Sequence, residues 1–252
     1  MSDDLLLSDR AEGVLTLTLN APPAHPLSLA MIRALRAAID AAASDPEARV
    51  ILLHGPGRVF CAGHDLKEIK AHRADPDDGR AYLETLFAEC GAMMMALAQS
   101  PRPTIALAEG VATAGGLQLL AACDMAFVTP AMRACLPGVS NGGFCSTPAV
   151  SVSRKIPRGP LMELALSGEM FDAVWCQSHG LVNRILPPED LLPEVRAFAR
   201  TLATRHAPAI ALGKRTLDAH LAQPLDQAYA AATEAMLTHF MDPERVARDK
   251  AR

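Results

Sequence analysis

The chain has 252 residues, which is enough for one large domain or two small ones. Half of the residues are hydrophobic but only 4% are aromatic, so the core must be built mainly from aliphatic side chains, which favours helices packed on strands. The formal net charge is −4, with acidic and basic residues interspersed and no basic stripe, and this excludes the nucleic-acid-binding class.

The N-terminal segment MSDDLLLSDR is acidic and has no apolar stretch of signal-peptide length. No later apolar run reaches the roughly 18–20 uninterrupted residues that a membrane-spanning helix needs. The six cysteines are scattered without C-x-x-C spacing, which is typical of reduced thiols that serve as small apolar residues. We therefore expect a cytoplasmic protein with no membrane partner.

Strands and helices alternate through the first part of the chain. Period-two alternation or continuous apolar runs predict strands at 14–20, 49–55, 103–110 and 124–129. Ser28 is the expected N-cap of the helix that follows the first strand, and a second helix opens at Gly115. This order predicts the α/β class, with parallel strands and crossover helices.

From about residue 160 the pattern changes to helices joined by short loops. We therefore predict an α/β core over residues 1–195 and a C-terminal helical region over residues 196–252.

The stretch ATAGGLQLLAACD (112–124) places two glycines at the start of an apolar helix. Gly115 and Gly116 would let a ligand approach the backbone N–H groups at the helix terminus, and Gln118 lies one turn further on. Because residues three apart on a helix share a face, Gln118 is expected to face the same site as Gly115.

A second junction of this kind is GRVFCAGHDLKEIK (57–70), which follows the predicted strand at 49–55. Asp65 and Glu68 have the spacing of a capping box, and we assign them that structural role rather than catalysis. If the two junctions meet, their backbone donors converge on one oxygen. They would then form an oxyanion hole for a carbonyl that gains negative charge, in which each donor contributes about 2.7–4 kcal/mol.

Several ordered segments resemble the enoyl-CoA hydratase/isomerase (crotonase) superfamily over nearly the whole chain. They are VLTLTLN with HPLS, DPEARVILLHGPGRVFCAGHDLKE, QSPRPTIALAEGVATAGGLQLLAACDMAFVT and GLVNRILP. The resemblance implies a crotonase (ClpP-like) core built as a spiral of β-β-α turns, with a C-terminal helical region used in trimer formation. It also implies an acyl- or enoyl-CoA thioester as ligand, no permanently bound cofactor, and a homotrimer or a hexamer of two trimers. The histidines and aspartates of the chain have no recognised metal-ligand spacing, so we expect no metal site.

Carried over by position, the resemblance assigns the oxyanion-hole N–H groups to His64 and Gly115. The residues that fall where the family binds coenzyme A are Ala62, Gly63, His64, Asp65, Leu66, Lys67, Gly115 and Gly116.

The two glutamates that hydratases of this family use fall at Gln118 and Gly138 in this chain. An amide cannot accept a proton at neutral pH, and glycine has no side chain at all. We therefore expect atypical or impaired hydratase activity. The segments GHDLKE and GVSNGGFCSTP, with Gln118, look most like the enoyl-CoA hydratase domain-containing group.

Three alternatives stay open. The His64 side chain could serve an acyl-CoA decarboxylase, because decarboxylation generates an enolate without a base that removes an α-proton. The chain could also bind acyl-CoA without catalysis. Finally, GVSNG (138–142) matches the G-x-S-x-G pattern of serine hydrolases, with Ser140 as nucleophile, although the prolines nearby do not suit the strand–turn–helix context of that pattern.

Overall fold

The computed structural model describes residues 4–251, which form two β-sheets surrounded by helices. The strands are β1 (Leu6–Ala11), β2 (Val14–Leu19), β3 (Val50–Gly55), β4 (Val59–Cys61), β5 (Thr104–Ala108), β6 (Val111–Thr113), β7 (Met125–Val128), β8 (Arg133–Cys135), β9 (Phe171–Asp172) and β10 (Arg184–Ile185). The α-helices are α1 (Leu29–Ser44), α2 (Leu66–Ala71), α3 (Arg80–Ala98), α4 (Gly115–Ala122), α5 (Ser146–Val152), α6 (Arg158–Ser167), α7 (Ala173–Ser178), α8 (Pro188–Ala203), α9 (Ala207–His220), α10 (Leu225–Phe240) and α11 (Pro243–Lys250).

The core is a spiral of repeated β-β-α turns. The successive turns β3-β4-α2, β5-β6-α4 and β7-β8-α5 each add one strand to a six-stranded sheet of order β1-β2-β3-β5-β7-β10, one short strand to a four-stranded sheet of order β4-β6-β8-β9, and then helix. Pairing is parallel except for β1 with β2 and β8 with β9. The predicted α/β class and spiral architecture are confirmed.

The four predicted strands correspond to β2, β3, β5 and β7, which are buried central strands of the larger sheet. The smaller sheet has no recognisable pattern in the sequence. Its strands β4, β6 and β8 have only three residues each, too few to show any periodicity.

Helix α1 begins where the sequence predicts, because the Ser28 Oγ accepts a hydrogen bond from the Met31 N–H at 3.1 Å. Its buried face includes Ile32, Leu35 and Ile39, each at most 1% exposed. This face packs against α3 and belongs to the main core between the sheets and helices.

Helix α8 covers the other face of the larger sheet through Leu191, Val195 and Ala199. The boundary predicted after residue 195 falls inside this helix, and the division into two regions stays a prediction. Beyond α8, Lys214 on α9 anchors the C-terminal helices to the core. Its Nζ donates to the Asp124 carboxylate at 2.5 Å and to the Arg102 carbonyl at 2.8 Å.

One helix among the described residues, α3, is long and apolar enough to cross a membrane by length and composition alone. In the fold, α3 buries Leu86, Cys90, Met93, Met94 and Leu97 in the main core.

Candidate active site

The structure brings the two glycine-containing junctions into direct contact. A Cβ added to Gly63 would lie 2.9 Å from the Gly115 amide nitrogen. A Cβ added to Gly115 would lie 3.4 Å from the Gly63 Cα and 3.6 Å from the His64 Cε1. The two strand-to-helix junctions therefore lie in contact, as expected.

A short bridge to Leu27 orients the junction before α2. The Leu27 N–H donates to the Gly63 carbonyl at 2.8 Å, and the Asp65 N–H donates to the Leu27 carbonyl at 3.3 Å. Because both flanking groups pair toward Leu27, the His64 N–H between them points the other way. It has no acceptor within residues 4–251.

The junction before α4 turns at Ala114, whose φ is +49° and ψ is −121°, a conformation that L-residues rarely adopt. Its N–H donates to the Cys135 carbonyl at 3.0 Å, which ties the turn to the end of β8. The next N–H, that of Gly115, is one of the donors that a helix start leaves without an internal partner. It also has no acceptor in the described part of the chain.

The imidazole of His64 packs edge-on against Phe87 of α3, with ring centroids 5.2 Å apart. Its Nε2 atom is buried and has no hydrogen-bond partner among the described residues. Burial lowers the pKa of His64 below its ordinary value of 6.5, so the ring is neutral at pH 7.

Gln118 lies on α4, a helix whose residues are all buried, and is itself 4% exposed. Its Oε1 is buried and lacks a hydrogen-bond partner in residues 4–251. Among the described residues, His64 Nε2 and Gln118 Oε1 are the only buried side-chain nitrogen or oxygen atoms without a hydrogen-bond partner.

The two acids near the site have structural partners. Asp65 caps α2, accepting from the Lys67 N–H at 2.8 Å and the Glu68 N–H at 3.4 Å, as predicted. The reciprocal half of the predicted capping box is wrong. Because Leu27 already accepts from the Asp65 N–H, Glu68 instead accepts from the Leu29 N–H at 3.0 Å and from the Tyr82 hydroxyl at 2.7 Å.

The remaining residues of the predicted coenzyme A site lie at the start of α2 or next to it. Leu66 is 75% exposed and Lys67 is also exposed, so both face solvent beside the junction. The Ala62 N–H donates to the Ala24 carbonyl at 2.9 Å and is therefore already used within the chain. A role for these residues in binding coenzyme A stays a prediction.

Gly138 and Ser140 lie in a 3-10 helix over Pro137–Asn141 that follows β8. A Cβ added to Gly138 would lie 2.6 Å from the Cys145 amide nitrogen, so the backbone itself fills the space that a side chain would need. Ser140 is exposed and has no histidine or acidic hydrogen-bond partner among the described residues. The strand–turn–α-helix context that the hydrolase alternative requires is not formed here.

Sequence reasoning did not identify Leu27, Phe87 or Ala114 as residues of this site. Leu27 and Phe87 are ordinary apolar residues whose part depends on contacts distant in sequence. The positive φ of Ala114 has no sequence signal, because this conformation normally favours glycine.

One group in the described chain could hold a metal ion by its residue types: His206, Asp242 and Glu244, whose ligand atoms lie within 4.8 Å of one another. Asp242 already caps α11 through the N–H groups of Glu244 and Arg245. The His206 Nε2 is 3.8 Å from a carboxylate oxygen of Asp242 and 3.5 Å from one of Glu244, so the three side chains form a contact beside the start of α11.

Comparison with known proteins links this geometry to a family. The family model for enoyl-CoA hydratase/isomerase matches residues 9–250. The enoyl-CoA hydratase domain-containing protein 3, mitochondrial, of Rattus norvegicus is 37% identical over 241 residues, covering 95% of this chain and 79% of the relative. A probable enoyl-CoA hydratase of Mycobacterium tuberculosis is 30% identical over 220 residues, covering 86% of this chain and 82% of the relative.

Solved structures agree with the sequence relatives. An enoyl-CoA hydratase/isomerase family protein from Silicibacter pomeroyi has a TM-score of 0.90 and 55% identity, over 95% of this chain and 100% of that one. The human enoyl-CoA hydratase domain-containing protein 3 has a TM-score of 0.91 and 33% identity, over 98% of this chain and 96% of that one. The predicted crotonase fold and the resemblance to the domain-containing group are confirmed: the chain belongs to the enoyl-CoA hydratase/isomerase (crotonase) family.

Proposed function

We propose that this protein binds an acyl- or enoyl-CoA thioester and stabilises its enolate in an oxyanion hole formed by the N–H groups of His64 and Gly115. Hydratase activity is atypical or impaired. The thioester is a substrate or a ligand, and the protein has no permanently bound cofactor.

The single observation that carries this proposal is the convergence of two backbone donors without internal acceptors. The Gly115 nitrogen lies 2.9 Å from the Cβ position of Gly63, and the His64 N–H follows directly in the chain and points away from Leu27. Two donors aimed at one oxygen stabilise charge that develops on it, and they need no titrating side chain.

The proposed impairment rests on what lies beside this hole. Hydration requires a group that activates water and a group that transfers a proton to the α-carbon. Gln118 provides a neutral amide, and the position of Gly138 is closed to any side chain. The carboxylates of Asp65 and Glu68 each accept a hydrogen bond from an N–H group at a helix start, and that of Glu68 also accepts one from the Tyr82 hydroxyl. None of these groups is a free carboxylate at the hole.

A second candidate is decarboxylation assisted by the His64 side chain. The observation that favours it is the buried Nε2 of His64, which has no partner in the described chain and belongs to the residue that supplies one oxyanion donor. Loss of carbon dioxide leaves the electron pair on the α-carbon, and the thioester oxygen takes up that charge in the hole.

We further propose that the protein assembles as a homotrimer or a hexamer through its C-terminal helices. Large apolar side chains are exposed there, among them Leu221, Leu225 and Tyr229. A cytoplasmic location is likewise a proposal, since the domain-containing relatives are themselves named mitochondrial.

Titration calorimetry with butanoyl-, octanoyl- and hexadecanoyl-CoA, with free coenzyme A as the reference, tests the binding claim. Saturable heat with at least one thioester, stronger than that with coenzyme A, is expected. No saturation with any chain length would overturn the proposal. Turnover assays on crotonyl-CoA and malonyl-type thioesters then separate the enzyme classes, and binding without turnover would identify an acyl-CoA-binding protein.

A further inference from the structure

The loop between β2 and α1 (residues 20–28, the β2–α1 loop) supports the backbone on both sides of His64. The Ala24 carbonyl accepts a hydrogen bond from the Ala62 N–H at 2.9 Å. Leu27 forms the bridge that pairs with the groups flanking His64, at 2.8 and 3.3 Å. The direction of the His64 N–H is therefore set by the conformation of this loop.

The same loop borders the junction before α4. The Leu27 Cδ1 atom lies 3.3 Å from the position that a Cβ on Gly115 would take. Leu27 is fully buried, so its side chain cannot leave this contact unless the loop moves with it. Both proposed oxyanion donors therefore depend on where the β2–α1 loop lies.

Backbone hydrogen bonds alone cannot hold this loop in shape. Pro22, Pro23 and Pro26 have no N–H group to donate. His25 lies among them with a φ of +44°, a conformation that few residues other than glycine adopt. A side chain is therefore needed to stabilise the turn, and the buried imidazole of His25 is placed to do so.

The His25 imidazole joins two turns of the chain. Its Nδ1 accepts from the Ala21 N–H at 3.1 Å, and the His25 N–H donates to the Ala21 carbonyl at 2.8 Å, so the two residues close the turn reciprocally. Because Nδ1 is an acceptor, the ring proton lies on Nε2, which donates to the Pro56 carbonyl at 3.2 Å. Burial is the main cause that lowers the pKa of His25, and it keeps the ring in this neutral form at pH 7. The ring thus ties the β2–α1 loop to the turn between β3 and β4.

We propose that His25 is a positioning residue for the two proposed oxyanion donors. Its imidazole fixes the β2–α1 loop, and the loop in turn aligns the His64 and Gly115 N–H groups on one oxygen. The inference rests on the proposed function of the site. Loss of the ring should weaken the contact with the thioester oxygen while leaving the rest of the ligand bound as before.

The test compares butanoyl-CoA with S-butyl-CoA, a thioether in which a methylene group replaces the carbonyl, by titration calorimetry on the intact protein. The wild type should bind the thioester about tenfold more tightly, which is the effect of one to two net hydrogen bonds. In His25→Gly, which suits the φ of +44° but has no acceptor, the ratio should fall to about twofold or less. In His25→Asn, whose Oδ1 takes the place of Nδ1, the ratio should stay near the wild-type value.

Thr104→Val is the matched control for a general loss of stability. The buried Thr104 hydroxyl donates to the Asp124 carboxylate at 3.0 Å and accepts from the Asp124 N–H at 2.8 Å. Thr104 begins β5, at the end of the parallel strands opposite to the β2–α1 loop. This variant should unfold at lower urea concentration and keep the wild-type ratio of affinities.

Each other outcome contradicts a defined part of the account. A wild type that does not prefer the thioester to the thioether would overturn the proposed function and this inference with it. A preference that persists in His25→Gly would overturn the inference alone, as would an equal loss in His25→Asn or in Thr104→Val. If His25→Gly does not fold, His25→Gln replaces it with the same expected ratio, because its longer side chain places no acceptor at the position of Nδ1.

Discussion

Gly116 packs so closely on Cys61 that a Cβ at this glycine would lie 2.0 Å from the Cys61 carbonyl oxygen. This contact presses the start of α4 against the end of β4, and it fixes the distance between the two junctions that form the candidate oxyanion hole. The second glycine of the pair therefore has a different task from the first. Gly115 carries the N–H that we propose as an oxyanion donor, whereas Gly116 allows the close approach of α4 to β4.

Gly116→Ala should destabilise the protein by about 3 kcal/mol, because the obstructing atom belongs to the backbone and cannot rotate away. The measurement is the free energy of unfolding from urea titration. Gly91→Ala is the matched control, since nothing lies within 4 Å of a Cβ at this position of α3. It should be stabilising by about 0.5–1 kcal/mol, because alanine is the better helix former. Equal effects at both positions would contradict the packing argument.

Ala114→Gly should stabilise the fold by about 1 kcal/mol, because glycine adopts a φ of +49° without the steric cost that alanine bears. Ala121→Gly, within α4, is the control and should destabilise by about 1 kcal/mol. Thermal unfolding of both variants checks the sign. A loss of stability in Ala114→Gly as large as that in Ala121→Gly would show that the turn is unstrained.

Restoring the two glutamates should not restore hydration. Gln118→Glu combined with Gly138→Glu should fail to hydrate crotonyl-CoA and should unfold at lower urea concentration, because the side chain at 138 would meet the Cys145 backbone at 2.6 Å. Gly143→Glu is the control for the added charge, since its Cβ would come no nearer than 3.9 Å to its closest neighbour. Hydration by the double variant at rates typical of the family would contradict this account of the 3-10 segment.

The stability of the protein should fall as pH decreases from 7 toward 5.5. Burial is the main cause that lowers the pKa of His64 and of His25 below 6.5. Between 6.5 and those folded-state pKa values the unfolded chain binds more protons, so acidification favours unfolding. In His64→Gln the urea midpoint should change less between pH 7.5 and 5.5 than in the wild type. An unchanged slope would show that His64 does not contribute.

The sequence predicted the features that depend on local pattern. The buried strand at 50–55 shows as an apolar run, the Ser28 cap as a helix start, and the glycine pair as a place of close backbone approach. The role of Glu68 could not be predicted in this way. Its partners Leu29 and Tyr82 lie on α1 and α3, and their positions are set by tertiary packing rather than by spacing along the chain.

The same limit explains Gly138. Counting along the chain placed it where the family has a glutamate, but only the fold shows that the Phe144–Cys145 backbone occupies the space beside it. The unpaired state of Gln118 Oε1 was equally inaccessible, because it depends on every group that surrounds a buried amide. The chemistry of the site therefore depends mainly on tertiary contacts, which the spacing of residues along the chain does not predict.

The most direct test of the central claim is a crystal structure of the protein with bound butanoyl-CoA. The account predicts that the thioester oxygen lies about 2.7–3.1 Å from both the His64 and the Gly115 amide nitrogens. A thioester bound with its carbonyl oxygen out of reach of either nitrogen would contradict it.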